Sequence, residues 1–139
     1  MKPGRSLVRC LGRLLALGIG LGAMGCRLGS GTEPTLRLGE EACAECHMLI
    51  GEPRFTAAYR TREGLWRKFD DLGCLVRFRS RQPEGTERIF VHDYQGDGWL
   101  DAEGAFFVHS PRLATPMGYG LVALATEEAA RRLASTLQG

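Results

Sequence analysis

Residues 1–25 divide the chain before any fold can be considered. Lys2, Arg5, Arg9 and Arg13 stand near the start with no acidic residue among them, and residues 14–23 form an apolar run broken only by glycines. A positive segment followed by a short apolar one is the pattern of a secretory leader. About ten residues rise only about 15 Å as a helix, whereas a membrane span needs about 20 residues, so the run is too short for a transmembrane anchor. What is left to fold is an exported body of about 100 residues, one domain with a modest core.

The apolar run closes on Gly22-Ala23-Met24-Gly25-Cys26. This resembles the lipobox read by lipoprotein signal peptidase, with the small residue required just before the cysteine and Ala23 where leucine is usual. Cys26 is thereby the expected lipid-attachment residue and 1–25 the leader. Residues 26–40, beginning Arg27-Leu28-Gly29-Ser30-Gly31-Thr32-Glu33-Pro34, have the composition of a flexible tether with a reach of about 20 Å. Buried acyl chains, each worth about 0.8 kcal/mol per methylene, would make the anchor stable. The expected location is exported and membrane-anchored, in the periplasm or on the outer face of the cell membrane. Removing the leader also changes the charge: 18 basic and 16 acidic residues become 14 against 16. The basic character belongs to the leader, and nothing indicates a nucleic-acid partner.

In residues 41–139 the patterning predicts an α+β fold built from two small related strand-and-helix units, about 41–80 and 88–139, ββαβ-like and packed as one body after the tether. In the first, 55–59 reads as a strand, Thr61 as a helix N-cap, and 63–78 as a helix burying Leu65, Phe69, Leu72 and Val76 at helical spacing. Residues 79–87, with Pro83 and Gly85, read as a loop. In the second, strands are expected at 89–93, 99–101, 106–110 and 119–125, then a helix to about 137 with Thr126 as N-cap and Glu127 and Glu128 in its first turn. Met48 and Met117 each precede a strand, a capped turn and a helix. That order could set them in equivalent positions facing one another.

The densest chemistry is Cys43-Ala44-Glu45-Cys46-His47-Met48: two thiols, an imidazole and a thioether in six residues. A Cys43–Cys46 disulfide is the structural alternative in an oxidising compartment. Met48 and Met117 are the only methionines beyond the leader, and Met117 sits in the turn sequence Thr115-Pro116-Met117-Gly118. Soft thiolate and thioether sulfurs select Cu(I), which does not need the closed four-ligand shell of structural zinc. Cys43 or Cys46 with Met48 and Met117 would make such a site, suited to carrying the ion. Cys74, on the predicted first helix, reads as a buried, inert thiol. Asp70 and Asp71 read as solvated helix charges or as an acidic lip that assists copper entry or partner docking. His92 and His109, on predicted strands, read as ordinary strand histidines. No triad ordering, nucleotide loop or paired-carboxylate cleft stands out, so no enzymatic activity is expected.

At these residues the chain resembles the NosL family, copper-binding lipoproteins associated with maturation of nitrous oxide reductase. The matching pieces are 43–48, Phe69-Asp70-Asp71-Leu72-Gly73-Cys74, Gly98-Trp99-Leu100-Asp101-Ala102 with Ala105-Phe106-Phe107-Val108, and Thr115-Pro116-Met117-Gly118-Tyr119-Gly120. The resemblance implies two related strand-and-helix units and a Cu(I) site that takes a cysteine of the first motif and Met117. It implies copper as the bound partner, nitrous oxide reductase and its membrane assembly and transport complex as the destination, and a lipid anchor in the membrane. Cys43 is the preferred thiolate, because it holds the position of the cysteine in members with only one; Cys46 is second. The chain departs from the family at His47, where glycine usually precedes the methionine. That change could add an imidazole ligand. It also creates Cys-x-x-Cys-His, the attachment signature of c-type haem. The competing expectation is a lipid-anchored monohaem cytochrome with His47 proximal and Met117 distal, against which stand the predicted strands.

Overall fold

Ala57, Ala58 and Tyr59 are fully buried, and the strand they begin is the centre of the architecture. The computed structural model describes residues 33–138; the leader and Cys26 lie outside the described residues. Strand β1 (Ala57–Thr61) runs antiparallel between β2 (Trp66–Phe69) and β3 (Thr86–His92), and β4 (Trp99–Asp101) extends the sheet beyond β3. Helix α1 (Leu72–Arg81) packs on β1 and β2 with Leu72, Leu75 and Phe78 buried. Phe69 meets Phe78 edge-on at 5.5 Å between ring centroids and stacks on Tyr59 at 5.8 Å. Aromatic pairs at such separations add to the area they bury. The Tyr59 hydroxyl donates to Glu84, and burial beside that carboxylate pushes its pKa up to about 12.

A second layer pairs β5 (Phe106–His109) with β6 (Leu121–Leu124) and covers them with α2 (Glu127–Gln138). Its core is Phe55, Val108, Leu113, Val122, Leu124 and Ala130. The layers are stitched at Ala123, which bridges Asp93 in parallel and accepts the Tyr94 N–H at 2.8 Å. The α+β expectation holds, and β1-β2-α1-β3 follows a ββαβ order. Among the described residues no helix is long and apolar enough to cross a membrane.

The helix expected over 63–78 is not one element. Its first part is β2, joined to β1 by a hairpin turn. Thr61 does not cap a helix: its N–H and hydroxyl bond Leu65, closing that turn, and Gly64 takes the left-handed φ of 87° that the turn requires. The cap is Asp71, whose carboxylate accepts the Gly73 N–H at 2.8 Å. Leu65 and Val76, placed in the buried stripe by helical spacing, are 58% and 59% exposed. Phe69 and Leu72 are buried, one from a strand and one from a helix. The spacing was ambiguous because a strand ending where a helix begins reproduces it by coincidence. The end of the expected tether is also part of the body: Gly39 donates to Ile50 at 2.8 Å and Arg37 N–H to Glu41. In the second half β4, β5 and β6 fall within the expected segments, whereas β3 begins at Thr86, three residues before the expected start, and with α1 running to Arg81 it shortens the expected 79–87 loop from both ends. Thr126 accepts the Ala129 N–H at the start of α2.

Gly73 is the second residue of α1, and it lies against Tyr119. A Cβ at 73 would lie 2.1–2.4 Å from the Tyr119 Cβ, Cγ and Cδ2 atoms. Glycine to alanine in a helix interior ordinarily stabilises by about 1 kcal/mol. Here Gly73→Ala is expected to destabilise instead, by about 1–3 kcal/mol, because the ring stem must move. Urea denaturation of the two proteins measures it, and a raised midpoint in the variant would contradict the contact.

Candidate metal centre

The segment 43–48 is a closed loop. Ala42 and Leu49 form an antiparallel bridge, the Cys43 N–H donates to the Met48 carbonyl at 2.8 Å, and the His47 N–H donates to the Cys43 carbonyl at 3.0 Å. The last bond closes one helical turn, and His47 ends it with φ 63°, the left-handed conformation that commonly terminates such a turn. The loop is docked from three sides: Ala44 N–H to the Lys68 carbonyl of β2, Glu41 to Lys68 at 2.6 Å, and Glu45, its side chain only 6% exposed, to Arg77 and Arg81 of α1.

Docking brings Cys43 and Cys46 to Cys74, in the first turn of α1. The three sulfurs all lie within 4.8 Å of one another, and among the described residues no fourth Cys, His, Asp or Glu joins the group. All three are free thiols, so the structure has no Cys43–Cys46 disulfide. Cys43 and Cys74 are fully buried and Cys46 partly so. Burial pushes the Cys46 thiol pKa up, opposed by the Met48 N–H directed at its sulfur. Burial and then the two neighbouring sulfurs push Cys74 up further. A metal bound by Cys46 and Cys74 must displace the protons that these raised pKa values hold on them.

Cys74, read from sequence as inert, is buried as expected but belongs to the cluster. Its signal was an odd count: three cysteines beyond Cys26 cannot all pair with one another.

The thioethers are placed differently. Met48 is 59% exposed and Met117 41% exposed. The residues beside them, Leu49 and Pro116, line one cleft together with Gly51, Asp70 and Thr115, so the two methionine loops flank a common opening. Each loop is held by one of two consecutive buried carboxylates at the β2–α1 junction. Asp70 accepts the Gly51 N–H at 3.2 Å; Asp71 accepts the Thr115 hydroxyl at 2.6 Å and the Met117 N–H at 3.0 Å. Asp70 and Asp71, 5% and 0% exposed, are neither solvated helix charges nor an acidic lip. Desolvation raises the Asp70 pKa, with Gly51 opposing it.

His47 is exposed on the loop, His92 stands edge-on to Trp99 at 5.4 Å, and His109 is exposed on β5. None joins the thiols. The haem alternative finds no support in this geometry, because Cys43 is fully buried in the core against Phe69, Leu72 and Cys74 rather than at an open edge.

His47→Gly tests the loop. Relief of the left-handed strain is expected to stabilise the chain by about 1 kcal/mol, read as a rise in thermal midpoint. Loss of stability would mean that the imidazole holds the loop.

The NosL family model matches residues 36–139, more than half of the chain. Among solved structures, the crystal structure of the copper chaperone NosL from Shewanella denitrificans superposes with a TM-score of 0.67 at 16% identity, covering 77% of this chain and 89% of that one, a likeness of fold. No curated protein sequence matches the chain.

Proposed function

The chain belongs to the NosL family, and from that premise we propose that it is a Cu(I) metallochaperone, a carrier rather than a catalyst. The observation that carries this reading is the convergence of Cys43, Cys46 and Cys74. With metal–sulfur bonds of about 2.3 Å, three sulfurs around one ion stand roughly 4 Å apart, so sulfurs already within 4.8 Å need only a small contraction. Structural zinc takes a fourth protein ligand, which no Cys, His, Asp or Glu among the described residues supplies here; Cu(I) is satisfied by two or three soft ones.

Burial divides the labour. The exposed thioethers of Met48 and Met117, on the loops whose neighbouring residues line the cleft, receive the ion, and thiolate from Cys43, with Cys46 and Cys74 beside it, holds it. Transfer runs in reverse: a client thiol or imidazole enters at the methionine side and displaces the ligands one at a time, so the ion is never bare. His47 stands at the rim as an additional donor. The client is an exported copper enzyme, nitrous oxide reductase by the family's association, reached through its membrane assembly complex. Export through the 1–25 leader and lipid attachment at Cys26 hold the carrier at the membrane, a reading supported by the leader pattern alone.

Competition against a chromophoric Cu(I) chelator tests the carriage. Cys43→Ala and Met117→Ala are each expected to lower affinity, the cysteine change more. Affinity should also fall on acidification, because thiols with raised pKa values must lose their protons to bind while thioethers do not titrate: about tenfold per pH unit for each proton released. A flat profile from pH 8 to 6 would leave methionine-only ligation. A chain that fails to compete for Cu(I) at any pH overturns the proposal.

Cys26→Ser tests the anchor. The wild-type chain should fractionate with membranes and carry acyl mass on its N-terminal cysteine, and the variant should lose both. Retention of the variant in the membrane fraction would refute lipid anchoring at this residue.

A further inference from the structure

Asp71 makes three hydrogen bonds from a position with no solvent exposure. Its Oδ1 accepts the Gly73 N–H and so starts α1; its Oδ2 accepts both the Thr115 hydroxyl and the Met117 N–H. Thr115 in turn accepts the Gly120 N–H, closing the 115–120 turn on itself. Cys74 N–H bonds the Asp71 carbonyl at 2.9 Å, so the same residue fixes the backbone of a thiol on one side and of a thioether on the other. No cation faces this carboxylate in any of these contacts; its charge is met by oriented N–H and O–H groups.

We propose that Asp71 is a positioning residue for copper: a buried carboxylate that clamps the Met117 turn to the start of α1 so that the thioether is presented at a fixed place relative to Cys74. The inference rests on the reading that Met117 is a copper ligand. A clamp of this kind exacts its effect before the metal arrives. It removes the cost of ordering an exposed turn from the binding step, which is the way an outer-layer hydrogen bond raises metal affinity.

Asp71→Asn separates the clamp from the helix cap. Asparagine is an equally good N-cap, so its oxygen can keep the Gly73 bond. Its amide group then stands as a donor facing the Met117 N–H, also a donor. Thr115→Val is the second variant, removing one hydroxyl from the opposite side.

Two readouts are taken on the full chain. Hydrogen exchange should show the Met117 amide protected in the wild type and fast in Asp71→Asn, with the α1 amides unchanged. Chelator competition should show Asp71→Asn weaker for Cu(I) by about 10- to 100-fold. Thr115→Val should weaken it in the same direction. The double variant Asp71→Asn/Met117→Ala should bind no more weakly than Met117→Ala alone, because a clamp has nothing left to position.

Unchanged affinity in Asp71→Asn, a Met117 amide that stays protected, or additive losses in the double variant each overturn the clamp while leaving copper carriage intact. Failure of the wild-type chain to bind Cu(I) overturns the carrier reading, and this one with it. A variant that does not fold leaves Thr115→Val to decide by the same measurements.

Discussion

The junction between β2 and α1 is the constraint on which the rest of the molecule depends. Only Asp70 and Asp71 separate a strand from a helix there, and both carboxylates are turned inward. Each spends its hydrogen-bonding capacity on a different loop: Asp70 on the residues after Met48, Asp71 on the turn that carries Met117. Two segments separated by almost half the chain are held beside one another by adjacent residues of a third. Buried carboxylates are costly unless their acceptors are filled. The junction therefore cannot form fully until both loops have arrived, which couples completion of the site to completion of the fold.

Much of this architecture was legible in the sequence. Helix α2 carried its own signals, Thr126 with two glutamates behind it, and these do in the structure what such residues do at a helix start. Strands β4, β5 and β6 were bracketed by turn residues and lie inside the segments read for them, while β3 reaches back to Thr86, into what read as loop. The first helix failed because Leu65, Phe69, Leu72 and Val76 satisfy a helical period while two of them face solvent. Periodicity reports which residues are apolar, and it could not report that Asp71, not Thr61, would win the cap.

The candidate site was legible in its parts and not in its grouping. Cys43 and Cys46 were visible as neighbours in sequence. Cys74 lay far along the chain on an element whose start was misjudged, and burial alone looked like inertness. The consecutive aspartates read as surface charge because charged residues are rarely buried, and only tertiary contact with Gly51, Thr115 and Met117 shows what fills their acceptors. The contrast between buried thiols and exposed thioethers is likewise a property of how loops dock, through Lys68, Arg77 and Arg81, and no pattern in residues 43–48 encodes it.

The contact between Gly73 and Tyr119 has a consequence for how such a sequence can drift. A side chain at 73 has no space while the ring stem at 119 stands 2.1–2.4 Å from where its first carbon would go. Neither residue is a metal donor, yet the two positions are linked as substitutions. A descendant of this chain can acquire bulk at 73 without loss of stability only after, or together with, the loss of bulk at 119. The intermediate with a small residue at both loses the ring's packing against the core around Cys43 and Cys74. The two substitutions are therefore coupled in stability, and the cysteine cluster packed beside Tyr119 is subject to that coupling without taking part in the collision.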